Sequence, residues 1–77
     1  MYIVHQYFKK QVDELTILIR LNPIHYKISE ITVNSKGESH LREIDADQDI
    51  VEDLQADGFE AASPLEFNLY YSGLAGS

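Results

Sequence analysis

The sequence predicts an α+β fold: a four-stranded antiparallel β-meander followed by two short helices packed on one face of the sheet. Three observations carry this reading. Apolar residues recur at every second position before Ile44 and at helical spacing after it; the breaks between runs hold turn-forming residues; and no internal repeat, low-complexity tract or linker divides the 77 residues, so 1–77 reads as one domain.

The first strand is expected over 2–8, where Tyr2, Val4 and Phe8 fall on one parity and Ile3, His5 and Tyr7 on the other. These β-branched and aromatic residues suit a strand without orienting it. In the second strand, 14–21, Leu15, Ile17, Ile19 and Leu21 alternate with Glu14, Thr16 and Arg20. Only Leu18 breaks the period of two that one buried face requires. Asn22-Pro23 then turns the chain, because proline cannot donate to a ladder and biases the residue before it away from helix.

In the returning strand, 24–33, Ile24, Tyr26 and Ile28 share one face while Ile31 and Val33 fall on the other. A β-bulge at Ser29-Glu30 would restore a single buried face, and the alternative is a strand buried on both faces. Asn34-Ser35-Lys36-Gly37 carries the chemistry of a longer hairpin loop, with glycine at the left-handed position. Its partner strand, 38–44, has only Leu41 and Ile44 as apolar residues, as expected at a sheet edge.

After Ile44 the spacing becomes helical. Ala46, Ile50 and Leu54, with Val51 beside them, form one apolar stripe on an acidic helix expected over 46–57. Asp45 or Asp47 can cap its start, and Gly58 followed by Phe59 has the pattern of a left-handed C-cap with its hydrophobic contact. Ser63-Pro64-Leu65-Glu66 combines a Ser/Glu capping box with proline at the first helical position, and Gly73 offers a stop, so a second helix is expected over 64–72. Phe67, Leu69 and Tyr71 also alternate with Glu66, Asn68 and Tyr70, which a strand would explain; the caps are independent evidence for the helix.

Composition narrows the function. The chain is 44% hydrophobic, has no cysteine, and carries a net charge of -7. Without cysteine there is no disulfide framework, thiolate metal site or cysteine nucleophile, and an intracellular setting fits best. His5 and Gln6 interrupt the apolar start and the lysines follow it, the reverse of a secretory signal. No apolar run approaches the roughly 18 residues of a membrane span, so the cytoplasm is the expected location. The charges are segregated: residues 1–42 hold all six Lys and Arg against four acids, a balance of +2, whereas 43–77 hold nine acids and neither Lys nor Arg, a balance of −9.

No pattern specifies a reaction or a cofactor. Asp45, Asp47, Asp49 and Asp53 resemble the spacing of a calcium loop, but Ile50 stands where that loop needs glycine and Ala56 where it needs a bidentate glutamate. His5, His25 and His40 lie on separate strands without the spacing of a metal motif. No serine lies in Gly-x-Ser-x-Gly and no glycine loop can cradle a phosphate, so no catalytic residue is assigned and no metal is expected.

The function this favours is non-enzymatic: a small acidic protein-interaction module, an inhibitor or adaptor that binds a basic protein surface. Asp45, Asp47, Asp49, Glu52, Asp53 and Asp57 would engage the partner, with Tyr70 and Tyr71 anchoring it or a homodimer. Phe67, Leu69, Tyr70, Tyr71 and Leu74 cover more of a helix than one face can bury. The rival is a single-stranded nucleic-acid-binding domain that uses Tyr7, Phe8, Lys9, Lys10, Tyr26 and Lys27 as one stacking sheet face. The net charge opposes it, because phosphate affinity comes from cation-driven counterion release.

Overall fold

The computed structural model describes the backbone of residues 3–75 and the side chains of residues 3–73; Tyr2 and the side chain of Leu74 lie outside them. The elements run β1 (Gln6–Val12), β2 (Leu15–Asn22), β3 (Lys27–Val33), β4 (Ser39–Asp45), α1 (Ile50–Ala56), β5 (Glu60–Ala61) and α2 (Pro64–Ala75). The sheet is antiparallel in the order β4-β3-β2-β1-β5, so the meander and the two helices stand as the sequence predicts.

Each turn is set by local chemistry. Asp13, one of two residues between β1 and β2, is left-handed (φ 56°), a conformation that Asp tolerates and a two-residue hairpin loop uses. This turn pairs Val12 with Leu15 and Gln6 with Leu21, which moves β1 from the expected 2–8 to Gln6–Val12. Between β2 and β3, Asn22 Oδ1 accepts the N–H groups of Ile24 (2.9 Å) and His25 (3.1 Å). Tyr26 ends that loop left-handed (φ 52°) and donates its N–H to the Asn22 carbonyl (2.9 Å). Asn34 Oδ1 accepts from Lys36 and Glu38, and Gly37 (φ 84°) closes the third turn as expected.

The sheet is buried on both faces, and this corrects two expectations. Phe8, Ile19, Leu21 and Ile28 pack with Leu54 of α1 on one face. Leu18, Ile31 and Val33 pack with Phe67 of α2 on the other. The helices therefore lie on opposite faces, not on the same one. Ser29-Glu30 holds no bulge either: the β2–β3 register runs unbroken, with Leu21 opposite Ile28 and Leu18 opposite Ile31. The change of parity in β3 is the signature of a strand sandwiched between two layers, where each parity meets a different helix.

The helix ends follow the predicted chemistry in part. Gly58 (φ 92°) donates to the Gln55 carbonyl (3.1 Å) and Phe59 to the Leu54 carbonyl (2.9 Å), while Leu54 and Phe59 belong to the same cluster. This is a Schellman C-cap with its hydrophobic contact. Ser63 Oγ accepts the Leu65 N–H (3.1 Å), so Ser63 is an N-cap with Pro64 in the first turn. Glu66 does not complete the capping box; it forms an ion pair with Lys9 of β1 at 2.9 Å. Gly73 does not stop α2, which continues to Ala75.

Candidate functional site

The acidic segment is held in place before it becomes helical. The left-handed Tyr26 carbonyl accepts the Ala46 N–H (2.8 Å), fixing the chain as it leaves β4. Asp47 Oδ1 then accepts the Asp49 N–H (2.9 Å), and α1 begins at Ile50, four residues later than expected. Asp49 is the N-cap and makes no side-chain capping bond among the described residues. Of the six acids expected to engage the partner, Glu52 and Asp53 are in α1. Asp45 ends β4 and forms an ion pair with Lys27; Asp47 and Asp49 lie in the approach to α1, and Asp57 is the C-cap. All six are exposed.

α1 covers its face of the sheet incompletely. It has seven residues and buries Leu54, with Ile50 and Val51 half-buried against the sheet. Beside it opens a groove of about 350 Å³. Ile19, Ile28, Ile44, Leu54 and Phe59 form its apolar lining, and the carboxylate-bearing Glu30, Asp45, Asp47, Asp53 and Asp57 stand among the residues around it. Arg42 neutralises Glu30 across 3.0 Å and Lys27 pairs with Asp45, whereas Asp47, Asp53 and Asp57 form no ion pair among the described residues. Asp57 sits at the negative end of the α1 dipole, where a carboxylate is unfavourable; the last turn of α1 holds no basic residue, and the nearby cation is Lys10 of β1, which reaches to Gly58 and Phe59. The groove can take an apolar group whose surroundings are cationic.

Comparison with known protein families, curated proteins and solved structures finds no match to this chain.

The aromatic pair assigned as an anchor lies elsewhere. Tyr70 and Tyr71 are half-buried on the inner side of α2, packed on the opposite face of the sheet from the acidic groove. Tyr71 stacks on Phe67 (5.4 Å between centroids), and the Arg20 guanidinium lies over Tyr71 at 4.3 Å and Phe67 at 5.3 Å. These contacts make the tyrosines part of the core layer. Among the described residues, the exposed large apolar side chains of α2 are instead Leu65 and Leu69, 79% and 74% exposed. A signal for them was present: with Phe67, Tyr70 and Tyr71 on one side of a helix, Leu65 and Leu69 must fall on the other.

The nucleic-acid set does not form one face. Tyr7 packs in the α2 layer and Phe8 in the α1 layer, because neighbouring strand residues point to opposite sides. Phe8 is buried, Lys9 is bound to Glu66, Lys27 is bound to Asp45, and Tyr26 lies in a turn. Lys10 lies 5.7 Å from the Phe59 ring, back on the α1 side. Lys9 and Lys10 line a polar groove of about 580 Å³ at the outer side of β1, together with Gly58, Glu60 and Ser63.

Polar side chains form a row across the α2 face. Arg20 Nη2 donates to Ser29 Oγ (3.3 Å), and that hydroxyl donates to Glu43 Oε2 (2.9 Å). Half-buried His5 stands near Arg20, and its pKa falls below 6.5 because burial and then the guanidinium charge disfavour the imidazolium. His25 lies in the β2–β3 turn and His40 on β4. Among the described residues no group of three or more His, Asp or Glu side chains is placed to hold a metal ion, and no helix is long and apolar enough to cross a membrane.

Proposed function

We propose that this chain is a cytoplasmic, non-enzymatic interaction module, an inhibitor or adaptor, that binds a basic protein surface through its acidic C-terminal half. The observation that carries the reading is the groove beside α1, whose lining is apolar and whose rim holds the carboxylates of Asp47, Asp53 and Asp57, which form no ion pair among the described residues. A partner segment that places one large apolar side chain in the groove, flanked by Lys or Arg, gains apolar burial and charge pairing together.

A lysine-rich peptide with a single tryptophan tests this by calorimetric titration. Affinity is expected to fall steeply as salt rises, to drop when the tryptophan is replaced by serine, and to drop with Asp53→Lys more than with Glu52→Lys. Salt-insensitive binding, or binding indifferent to Asp53→Lys, removes the groove from the proposal.

A further inference from the structure

The two edges of the sheet are finished differently. Hydrogen bonding in an antiparallel ladder alternates, so every second residue of a strand turns its N–H and C=O toward the same neighbour. On the outer side of β1 the chain after α1 takes up these groups: Ala62 donates to the Tyr7 carbonyl (2.9 Å), and Lys9 stands opposite Glu60. On β4 the phase is fixed at both ends. Asn34 donates to the Glu38 carbonyl (3.0 Å) and Ala46 to the Tyr26 carbonyl (2.8 Å), so His40, Arg42 and Ile44 between them bond to β3. Ser39, Leu41, Glu43 and Asp45 therefore turn their backbone groups outward, where no strand pairs with them among the described residues. The usual edge guards are missing: β4 holds neither Pro nor Lys, and its register against β3 runs without a bulge.

This edge leads into the acidic groove. Ile44, Asp45, Ala46 and Asp47 are among the groove residues, and on the α1 face Leu21, Ile28 and Ile44 stand opposite one another in a row that reaches the edge. Leu18, Ile31 and Leu41 form the matching row on the α2 face. Charge at the edge is one-sided. Arg42 is held by Glu30 and Lys27 by Asp45, whereas Glu43, Asp47 and Asp49 form no ion pair among the described residues.

We propose that the basic partner enters as an extended segment that adds a strand antiparallel to β4, with an apolar side chain opposite Ile44 and Lys or Arg opposite Glu43 and Asp45. The partner's charge rests on the reading of the groove given above; the strand conformation is new to it. Antiparallel pairing is the more stable kind and the one used throughout this sheet. The added strand gains main-chain hydrogen bonds along the edge, and its alternate side chains extend both apolar rows. A second copy of β4 fits less well. Residues opposite each other share a face, so a twofold axis at the middle of the strand sets Arg42 against Arg42, and one residue further on it sets Glu43 against Glu43.

The probe is the peptide Lys-Lys-Trp-Lys-Thr-Val-Thr, which places Trp opposite Ile44, Lys opposite Glu43 and Val opposite Leu41. Calorimetric titration of its backbone N-methylated forms against the unaltered chain is the test. Methylation of the Lys opposite Glu43, or of the Val, is expected to weaken binding about tenfold, because those N–H groups face β4. Methylation of the Trp, or of the Thr opposite Arg42, is expected to change it by less than about twofold, because those N–H groups face solvent. Amide exchange at Leu41 and Glu43 is expected to slow when the peptide is added. On the protein side, Glu43→Pro removes an outward N–H and no bond to β3, and is expected to abolish binding with circular dichroism unchanged. Glu43→Gln keeps that N–H and is expected to weaken binding by only about threefold. Equal effects of the two methylation phases, with exchange at Leu41 and Glu43 unaltered, overturn the added strand; binding that still falls with Asp53→Lys then leaves the groove reading standing. Phase-dependent binding that is indifferent to Asp53→Lys keeps the strand and removes the groove. A peptide that does not bind overturns both.

Discussion

The two faces of the sheet are covered by unequal helices. α2 has twelve residues, an N-cap bonded through Ser63, and an inner side on which Phe67 is 1% exposed and Tyr71 stacks under Arg20. α1 has seven, lacks a side-chain capping bond at Asp49, buries Leu54, and leaves an apolar groove open among carboxylates. The α2 layer is built like a core, whereas the α1 layer trades cover for accessible surface and concentrated charge. Both layers bury core side chains, the α1 side around Leu54 and the α2 side around Phe67, and the α1 layer also leaves a groove open beside its helix.

The largest expected effect comes from truncating the core layer. Phe67→Ala should cost about 3–5 kcal/mol, a large share of the roughly 4–12 kcal/mol that a chain of 77 residues holds in total. Leu54→Ala should cost about 2–3 kcal/mol, because the adjoining groove lets α1 settle into the space. Urea unfolding of both variants checks this, and a dearer Leu54 would reverse the comparison.

The two glycines on either side of this divide should differ in sign. Gly58 is held at φ 92° by the α1 C-cap, so Gly58→Ala should destabilise by about 1–2 kcal/mol even though the neighbouring Lys10 side chain leaves room for a methyl group. Gly73 is helical and open, so Gly73→Ala should stabilise by up to about 1 kcal/mol. Paired thermal melts decide both. Smaller again, Ser63→Ala should cost about 1 kcal/mol through the lost α2 cap, whereas Asp49→Ala loses no capping bond and should stay within roughly 0.5 kcal/mol.

The smallest effect is a pH dependence on the α2 side. His5 has a lowered pKa in the folded chain, so below pH 6.5 the unfolded chain binds the proton more readily. Stability should be unaffected by His5 at higher pH, decline as pH falls from 6.5 toward the folded pKa, and then level off. His5→Gln should remove that step from a pH series of melts, and Arg20→Gln should bring the imidazole titration seen by NMR closer to 6.5.

Much of this architecture was legible because turns and caps are local chemistry. Asn22-Pro23, Asn34 to Gly37, Gly58-Phe59 and Ser63-Pro64 all act where the residues indicate. Which face each residue occupies was harder to read, because the faces are set by partners distant in sequence. Leu18 in β2 and the Ile28 to Ile31 offset in β3 looked like defects in a one-faced sheet. They are a second buried face, visible only when both irregularities are taken together across the strand pair. β5 escaped notice because two residues carry no periodicity. Of the candidate site, the carboxylates were legible from charge segregation, but the groove beneath them depends on how α1 lies across the sheet. Tyr70 and Tyr71 were read as anchors because their helix carries more apolar surface than one face can bury; the structure puts both half-buried beside Phe67 and leaves Leu65 and Leu69 outward.

The two-residue strand β5 pairs Phe8 with Ala61 and Lys9 with Glu60, and Ala62 donates to the Tyr7 carbonyl (2.9 Å). Here the chain rounds the edge of β1 and passes from one face of the sheet to the other. The meander needs only pairings between successive strands, while the pairing of β5 with β1 closes a loop of about fifty residues, Phe8 to Ala61. The expected order of folding is hairpins first, then a wrap that seals both faces. Loosening the wrap at Leu54 or Phe67 is expected to accelerate unfolding and to leave the folding rate nearly unchanged in stopped-flow measurements, so that residues 50–75 set the lifetime of the native state while Gly37 and the other turns of the meander set how fast it is reached.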